Sequence, residues 1–123
     1  MNKPKLIVTR RWPDAVEKLL REKYDVVVNE GDIPMDSAAL QKAMRECDAL
    51  CPTVSDKISA DIIDCGDRRA KLIANFGVGF NHIDIEAAKS HGVAVSNTPH
   101  VLTDCTADLA MTLMLMIARR AGE

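Results

Sequence analysis

No sign of charge dominates this chain. Lys and Arg total 16 against 18 Asp and Glu, interspersed over 123 residues, for a formal net charge of −2. That balance excludes the one-signed field of a nucleic-acid-binding domain and the polyanionic tail of a solvating one, so no nucleic-acid partner is expected. No secretory leader is read at the start, because the short apolar run after Lys5 lacks a small-residue cleavage site. Cys47, Cys51, Cys65 and Cys105 sit in no zinc spacing, and Cys47 falls on an apolar helix face. Reduced thiols in a cytoplasmic protein, with no metal, are the expected state. One domain is expected, long enough to bury roughly two-thirds of its unfolded surface without staples.

What is present is a strict alternation of short apolar runs with helical patterns. Residues 5–9 lean to β structure, and Arg10-Arg11-Trp12 leads to Pro13, which suits the first position of a helix. Val16, Leu19, Leu20 and Tyr24 recur at helical spacing and predict one buried stripe, after which residues 25–28 supply a second strand. Asp36 is placed to cap a helix with Leu40, Ala43, Met44 and Cys47 inward, and residues 49–51 form a strand stopped at Pro52. Ser59 can cap a short helix stapled by Ile58 and Ile63, and Gly66 ends it before a fourth strand at residues 71–75. Asp84 caps the next helix, Gly92 closes it, and residues 93–95 are a fifth strand.

This alternation predicts an α/β fold: a flavodoxin-like, doubly wound, parallel five-stranded sheet covered on both faces, with right-handed crossovers. Ligands of such sheets collect outside the strand carboxyl ends, here residues 10–12, 52–55, 75–80 and 97–100. Within residues 109–118 only Thr112 is polar, so the last helix is apolar all round. It is too short to cross a bilayer, which takes ~20 residues, and no membrane partner is expected. A second domain or a twin subunit is expected to cover it. Met111, Met114 and Met116 suit an adaptable interface or ordinary core filling. The chain ends three residues after Arg120, which reads as an interruption before a further part.

The loop Asn75-Phe76-Gly77-Val78-Gly79-Phe80-Asn81-His82-Ile83-Asp84 joins the fourth strand to a helix through two glycines one residue apart. Glycine tolerates φ > 0, so Gly77 and Gly79 are expected to turn the main chain tightly around Val78 and aim its amides outward, with an anion as guest. A dinucleotide fingerprint would need a third glycine where His82 stands. A tight turn with no ligand is the simpler alternative.

Those residues, with Asn97-Thr98-Pro99-His100-Val101-Leu102-Thr103 and Thr106-Ala107-Asp108-Leu109, resemble the D-isomer-specific 2-hydroxyacid dehydrogenases. Val8-Thr9-Arg10-Arg11 and Pro52-Thr53-Val54-Ser55-Asp56 resemble the glyoxylate and hydroxypyruvate reductase branch, and together the motifs span almost the whole chain. The resemblance implies that residues 1–102 are a flavodoxin-like substrate-binding domain and residues 103–123 an interdomain helix leading into a Rossmann cofactor domain. It implies an oxidoreductase that passes a hydride from NADH or NADPH to glyoxylate, hydroxypyruvate or a similar 2-oxo acid, as a homodimer. By matching position, the backbone amides of Val78 and Gly79 would hold the substrate carboxylate and Val54 would line its pocket. Thr106 would touch the nicotinamide cofactor, unless its hydroxyl serves only as a helix cap. Two residues depart from the family's usual pattern: Asn81 replaces an acid, and His100 replaces an Asp or Gly after the proline.

The resemblance puts the family's oxo-acid arginine, its carboxylate–histidine pair and its cofactor glycine loop C-terminal to residue 123. No catalytic residue is therefore expected in this chain, and alone it should not turn over. His82, His91 and His100 could substitute only with an orienting carboxylate in hydrogen-bond reach, which the nearness of Asp84 to His82 in sequence does not supply. His91, just before Gly92, reads as a surface residue compatible with a helix end. The alternative is a stand-alone flavodoxin- or receiver-like binding module without dehydrogenase activity. Receivers need acidic residues after the first strand and flavodoxins a hydroxyl-rich phosphate loop, and Arg10-Arg11-Trp12-Pro13 offers neither.

Overall fold

A computed structural model describes residues 3–122, so the outermost ends of the two expected segments, 1–2 and 123, lie outside the described residues. Lys5–Val8 (β1), Asp25–Val28 (β2), Ala49–Cys51 (β3), Leu72–Ala74 (β4) and Ala94–Ser96 (β5) form one sheet in the order β2-β1-β3-β4-β5. Every pairing is parallel, with Val8 beside Val28 and Cys51, and Ile73 beside Leu50 and Val95. Asp14–Lys23 (α1), Ser37–Glu46 (α2), Ala60–Ile63 (α3) and Ile85–Ser90 (α4) connect the strands, and Thr103–Arg119 (α5) follows β5. This is the flavodoxin-like strand order.

Local chemistry explains most boundaries. Asp36 and Asp84 accept from the amides of Ala39 (2.8 Å) and Ala87 (2.9 Å), satisfying free N–H groups at the starts of α2 and α4. Gly66 and Gly92 close helices at φ of +53° and +66°. Ser59 does not cap α3; its hydroxyl donates instead to Asp61 Oδ1. Pro13 stands just before α1 and not as its first residue.

Strand alternation sends Ile7, Leu50 and Ile73 to one face, where they are buried with Leu40, Met44, Ile62, Ile63 and Ala88 of α2, α3 and α4. The opposite face carries Leu6, Val8, Ala49 and Cys51, with Trp12 and Leu20 packed on them from the α1 side. The expected α1 stripe is not buried: Val16 and Leu19 are 39% and 51% exposed, Tyr24 is exposed, and the one buried residue of α1 is Glu17. The physical reason is that this face is covered only over β1, β3 and the end of β2 at Val28. Toward β4 and β5, Leu72 and Ala74 are half-buried and Ala94 and Ser96 exposed. An apolar groove of about 380 Å³, lined in part by Leu6, Trp12, Leu20, Cys51 and Ala74, runs along it. Coverage of both faces, as the alternation suggests, is therefore incomplete. Nor does α5 fill the gap, since every described residue of it is exposed.

Candidate functional site

The strand carboxyl ends carry four loops, and the chain ties them together. Thr9, buried at the end of β1, donates from Oγ1 to Asp56 Oδ2 (2.5 Å), which also accepts from the Thr53 amide (2.8 Å). Asp56 thus fixes the turn that presents Val54. Arg10 donates to Asp32 Oδ1 (2.9 Å) and Ser55 Oγ (3.0 Å), and its hydrogen bond to Asp32 raises its pKa. The β1 end is accordingly filled by internal ion pairs.

The loop after β4 is the centre. Asn75, 3% exposed, extends the ladder by donating its amide to the Ser96 carbonyl (2.9 Å), and the Phe76 amide donates to the Pro52 carbonyl (2.9 Å). Asn75 Nδ2 then donates to the carbonyls of Gly77 (3.2 Å) and Gly79 (2.9 Å). Asn97 Nδ2 donates to the Val78 carbonyl (2.8 Å), and the Thr98 amide to that of Gly77 (3.0 Å). Three successive carbonyls are therefore held by buried or half-buried donors. In a planar trans peptide the N–H points opposite to the preceding C=O, so the N–H groups of Val78, Gly79 and Phe80 are each turned away from the donor that holds that carbonyl. Among the described residues they donate to no protein acceptor. Unspent backbone donors at a loop edge are what an anion takes.

The glycines serve this loop in a way the sequence did not suggest. Neither Gly77 nor Gly79 has a positive φ. Gly77 is required by close approach: a Cβ there would lie 2.7 Å from Val54 Cγ1 and 3.3 Å from Asn75 Nδ2. Nothing lies within 4 Å of a Cβ placed on Gly79, which leaves that side of the loop open.

Of the residues named from the sequence, Val78 and Gly79 share the loop after β4, and Val54 packs against Gly77 of that loop. Val54 is 62% exposed and lines a cavity of about 590 Å³ with residues 55–59 and 81–84; Val78 and Gly79 stand outside its lining. A smaller cavity of about 200 Å³ flanks the loop on the β5 side, between Phe80, Ile85 and Asn97. Thr106 lies on α5, exposed, and makes no hydrogen bond with the loop; its hydroxyl caps nothing. Sequence reasoning missed the Phe80 amide and the supports Asn75, Asn97, Thr9 and Asp56. The signal was a buried-strand pattern ending in Asn rather than in an apolar residue.

The histidines have other partners. His82 Nε2 lies 2.9 Å from Asn75 Oδ1, and burial lowers its pKa against a smaller upward pull from Asp56. The carboxylate of Asp84 is engaged by the Ala87 amide and not by His82. His91 Nε2 meets Asp64 Oδ1 (3.1 Å) at the surface, and His100 is exposed. Burial pushes the Cys47 thiol up to about 11 and Cys51 up to about 12, while Cys105 is exposed. Among the described residues no cluster of three His, Cys, Asp or Glu could hold a metal, and no helix is long and apolar enough to cross a membrane.

Residues 6–118 match the family model described as the D-isomer specific 2-hydroxyacid dehydrogenase catalytic domain. The chain is 42% identical over 121 residues to a glyoxylate reductase of Thermococcus onnurineus, covering 98% of this chain and 36% of that protein. It is 37% identical over 123 residues to a glycerate dehydrogenase of Hyphomicrobium methylovorum, covering 100% and 38%. A solved Polaromonas structure, described as an NAD-binding D-isomer specific 2-hydroxyacid dehydrogenase, superposes with a TM-score of 0.83 at 34% identity, over 93% of this chain and 36% of that one. The chain spans a little over a third of the length of these relatives. With its parallel sheet and its amide-bearing loop after β4, the chain belongs to the D-isomer specific 2-hydroxyacid dehydrogenase family.

Proposed function

We propose that this chain forms the substrate-side wall of an NAD(P)-dependent oxidoreductase that reduces glyoxylate, hydroxypyruvate or a similar 2-oxo acid. The observation that carries the reading is the set of carbonyls held by Asn75, Asn97 and Thr98, which leaves the Val78 and Gly79 N–H groups without protein acceptors. A carboxylate accepts from such groups in charge-assisted bonds. Fixed amides orient the neighbouring carbonyl carbon without a charged side chain from this wall, and Val54 bounds the space beside it. The names of the relatives support the oxo-acid class.

Residues 1–102 act as the substrate domain and residues 103–123 as the interdomain helix, in a cytoplasmic homodimer. The nicotinamide cofactor supplies the hydride. Within this chain the residue assigned to it is Thr106, whose hydroxyl has no partner among the described residues. The arrangement at the β1 end gives no support to a flavodoxin- or receiver-like module, because Arg10 and Arg11 are engaged by Asp32, Ser55 and Glu17 there.

Titrating the ¹⁵N-labelled chain with glycolate tests the reading. Val78 and Gly79 resonances should move, with a dissociation constant on the order of millimolar, since one carboxylate supplies only a few kcal/mol. Gly77→Ala, which drives a Cβ into Val54, should weaken binding roughly tenfold. The chain alone should not oxidise NADH in the presence of glyoxylate. Saturating glycolate with no response at residues 77–80 would overturn the assignment.

A further inference from the structure

We infer that His82 is a positioning residue for the amide loop: its imidazole locks the Asn75 carboxamide in the one orientation that holds the Gly77 and Gly79 carbonyls. The inference rests on the proposed reading of that loop and adds to it a residue that the reading leaves unassigned.

A carboxamide has a donor end and an acceptor end of nearly equal shape, so its orientation must be set by its neighbours. At Asn75 the two Gly carbonyls, at 3.2 and 2.9 Å, can only accept, which fixes Nδ2 toward them. Flipped, Oδ1 would face two oxygens and the loop would lose both bonds. The other end then needs a donor, because a buried amide oxygen without one incurs its full desolvation cost. His82 Nε2, at 2.9 Å, is the donor it has among the described residues. The proton must therefore sit on Nε2, leaving Nδ1 as the acceptor of the neutral ring.

His82 is itself held in place from the neighbouring loop. Its carbonyl accepts from the Ile58 amide (2.8 Å), and the Asp84 amide donates to the Ile58 carbonyl (2.9 Å), so residues 58 and 82–84 form a short parallel bridge. Ile58 and Ile83 are buried beneath it. The chain of support runs from that bridge through the imidazole and the Asn75 amide to the peptide planes that carry the Val78 and Gly79 N–H groups. Because Nε2–H donates in both the neutral and the protonated ring, His82 need not change protonation state to do this, unlike a general acid or base.

The direct test is the wild-type imidazole in a long-range ¹H–¹⁵N spectrum of the 123-residue chain. A neutral ring protonated on Nε2 is expected, and protonation on Nδ1 alone overturns the inference without any variant. His82→Phe keeps a ring and removes the donor, whereas His82→Gln offers an amide donor. His82→Phe should shift the Asn75 side-chain NH₂ and the Val78 and Gly79 amide signals of the free chain, and weaken glycolate binding roughly fivefold to tenfold. His82→Gln should restore most of both. A folded His82→Phe whose Asn75, Val78 and Gly79 signals are unmoved overturns the inference. If His82→Phe does not fold, the wild-type tautomer and His82→Gln decide. If wild type ignores glycolate, the proposed function fails, while the free-chain signals still decide the role of His82.

Discussion

The two faces of the sheet are finished differently. Under α2, α3 and α4, Leu50 and Ile73 are fully buried, and the cluster around them extends from Ile7 at one side to Val93 at the other. On the α1 side burial is complete only over β1 and β3, and by β5 the side chains of Ala94 and Ser96 are exposed. The strand order makes this difference. Three crossovers, through α2, α3 and α4, return across the sheet on one side, while the single crossover through α1 leads to the opposite edge at β2. A parallel sheet tends to be covered on both faces. Here the connectivity completes one face, and the other keeps an apolar groove beside Trp12, Leu72 and Ala74.

Matched truncations on the two faces should separate them most widely. Leu50→Ala, in the closed core, should cost about 3–4 kcal/mol, the transfer of the lost methylenes plus the cavity left behind. Leu72→Ala, on the open face one strand away, should cost less, about 1.5–2 kcal/mol, because its side chain is only partly buried. Urea unfolding of both variants measures the gap. Equal costs would mean that the open face is covered in solution.

A smaller effect is expected from Glu17, the one buried residue of the helix on that open side. Burial pushes its carboxyl pKa up, but the Arg11 Nε bond (3.0 Å), the Trp12 amide (2.8 Å) and Arg21 (3.4 Å) outweigh it and hold the group below its ordinary value. With the folded value below the unfolded one, the stabilisation is fully present above the unfolded carboxylate pKa and is lost as pH falls through the folded one. Glu17→Gln should cost about 1–2 kcal/mol at neutral pH and flatten the acid limb of stability against pH. A wild-type curve with the same acid limb as Glu17→Gln would show that the ion pairs carry none of it.

What was legible in the sequence follows the same division. Strand and helix order, the caps at Asp36 and Asp84, and the left-handed closures at Gly66 and Gly92 could be read because each is decided within a few residues. The α1 stripe could not: Val16, Leu19, Leu20 and Tyr24 have the right period, but whether a period is buried depends on what lies across from it. At the site, Val78 and Gly79 were visible as a glycine-flanked loop. The reason for Gly77, a clash with Val54 from the neighbouring strand end, is a tertiary fact. So is the Asn75 carboxamide, which spans residues 77 to 82 and binds both loop carbonyls and an imidazole.

The smallest stability effect should come from α5, where the contrast with the closed face is greatest. Ile117 is 78% exposed, and Leu113, Met114 and Leu115 beside it are each about half exposed or more. Replacing a side chain that is already in water removes little transfer free energy, so Ile117→Lys should change the unfolding free energy of the dilute chain by no more than about 0.5 kcal/mol. The same substitution puts a charge into an apolar surface of the kind that marks an interaction site. Light scattering should therefore show concentration-dependent association of the wild-type chain that Ile117→Lys reduces. A wild-type chain that stays monomeric at high concentration would deny that α5 seeks a partner. A destabilisation comparable to that of Leu50→Ala would mean that the helix is packed against this domain after all.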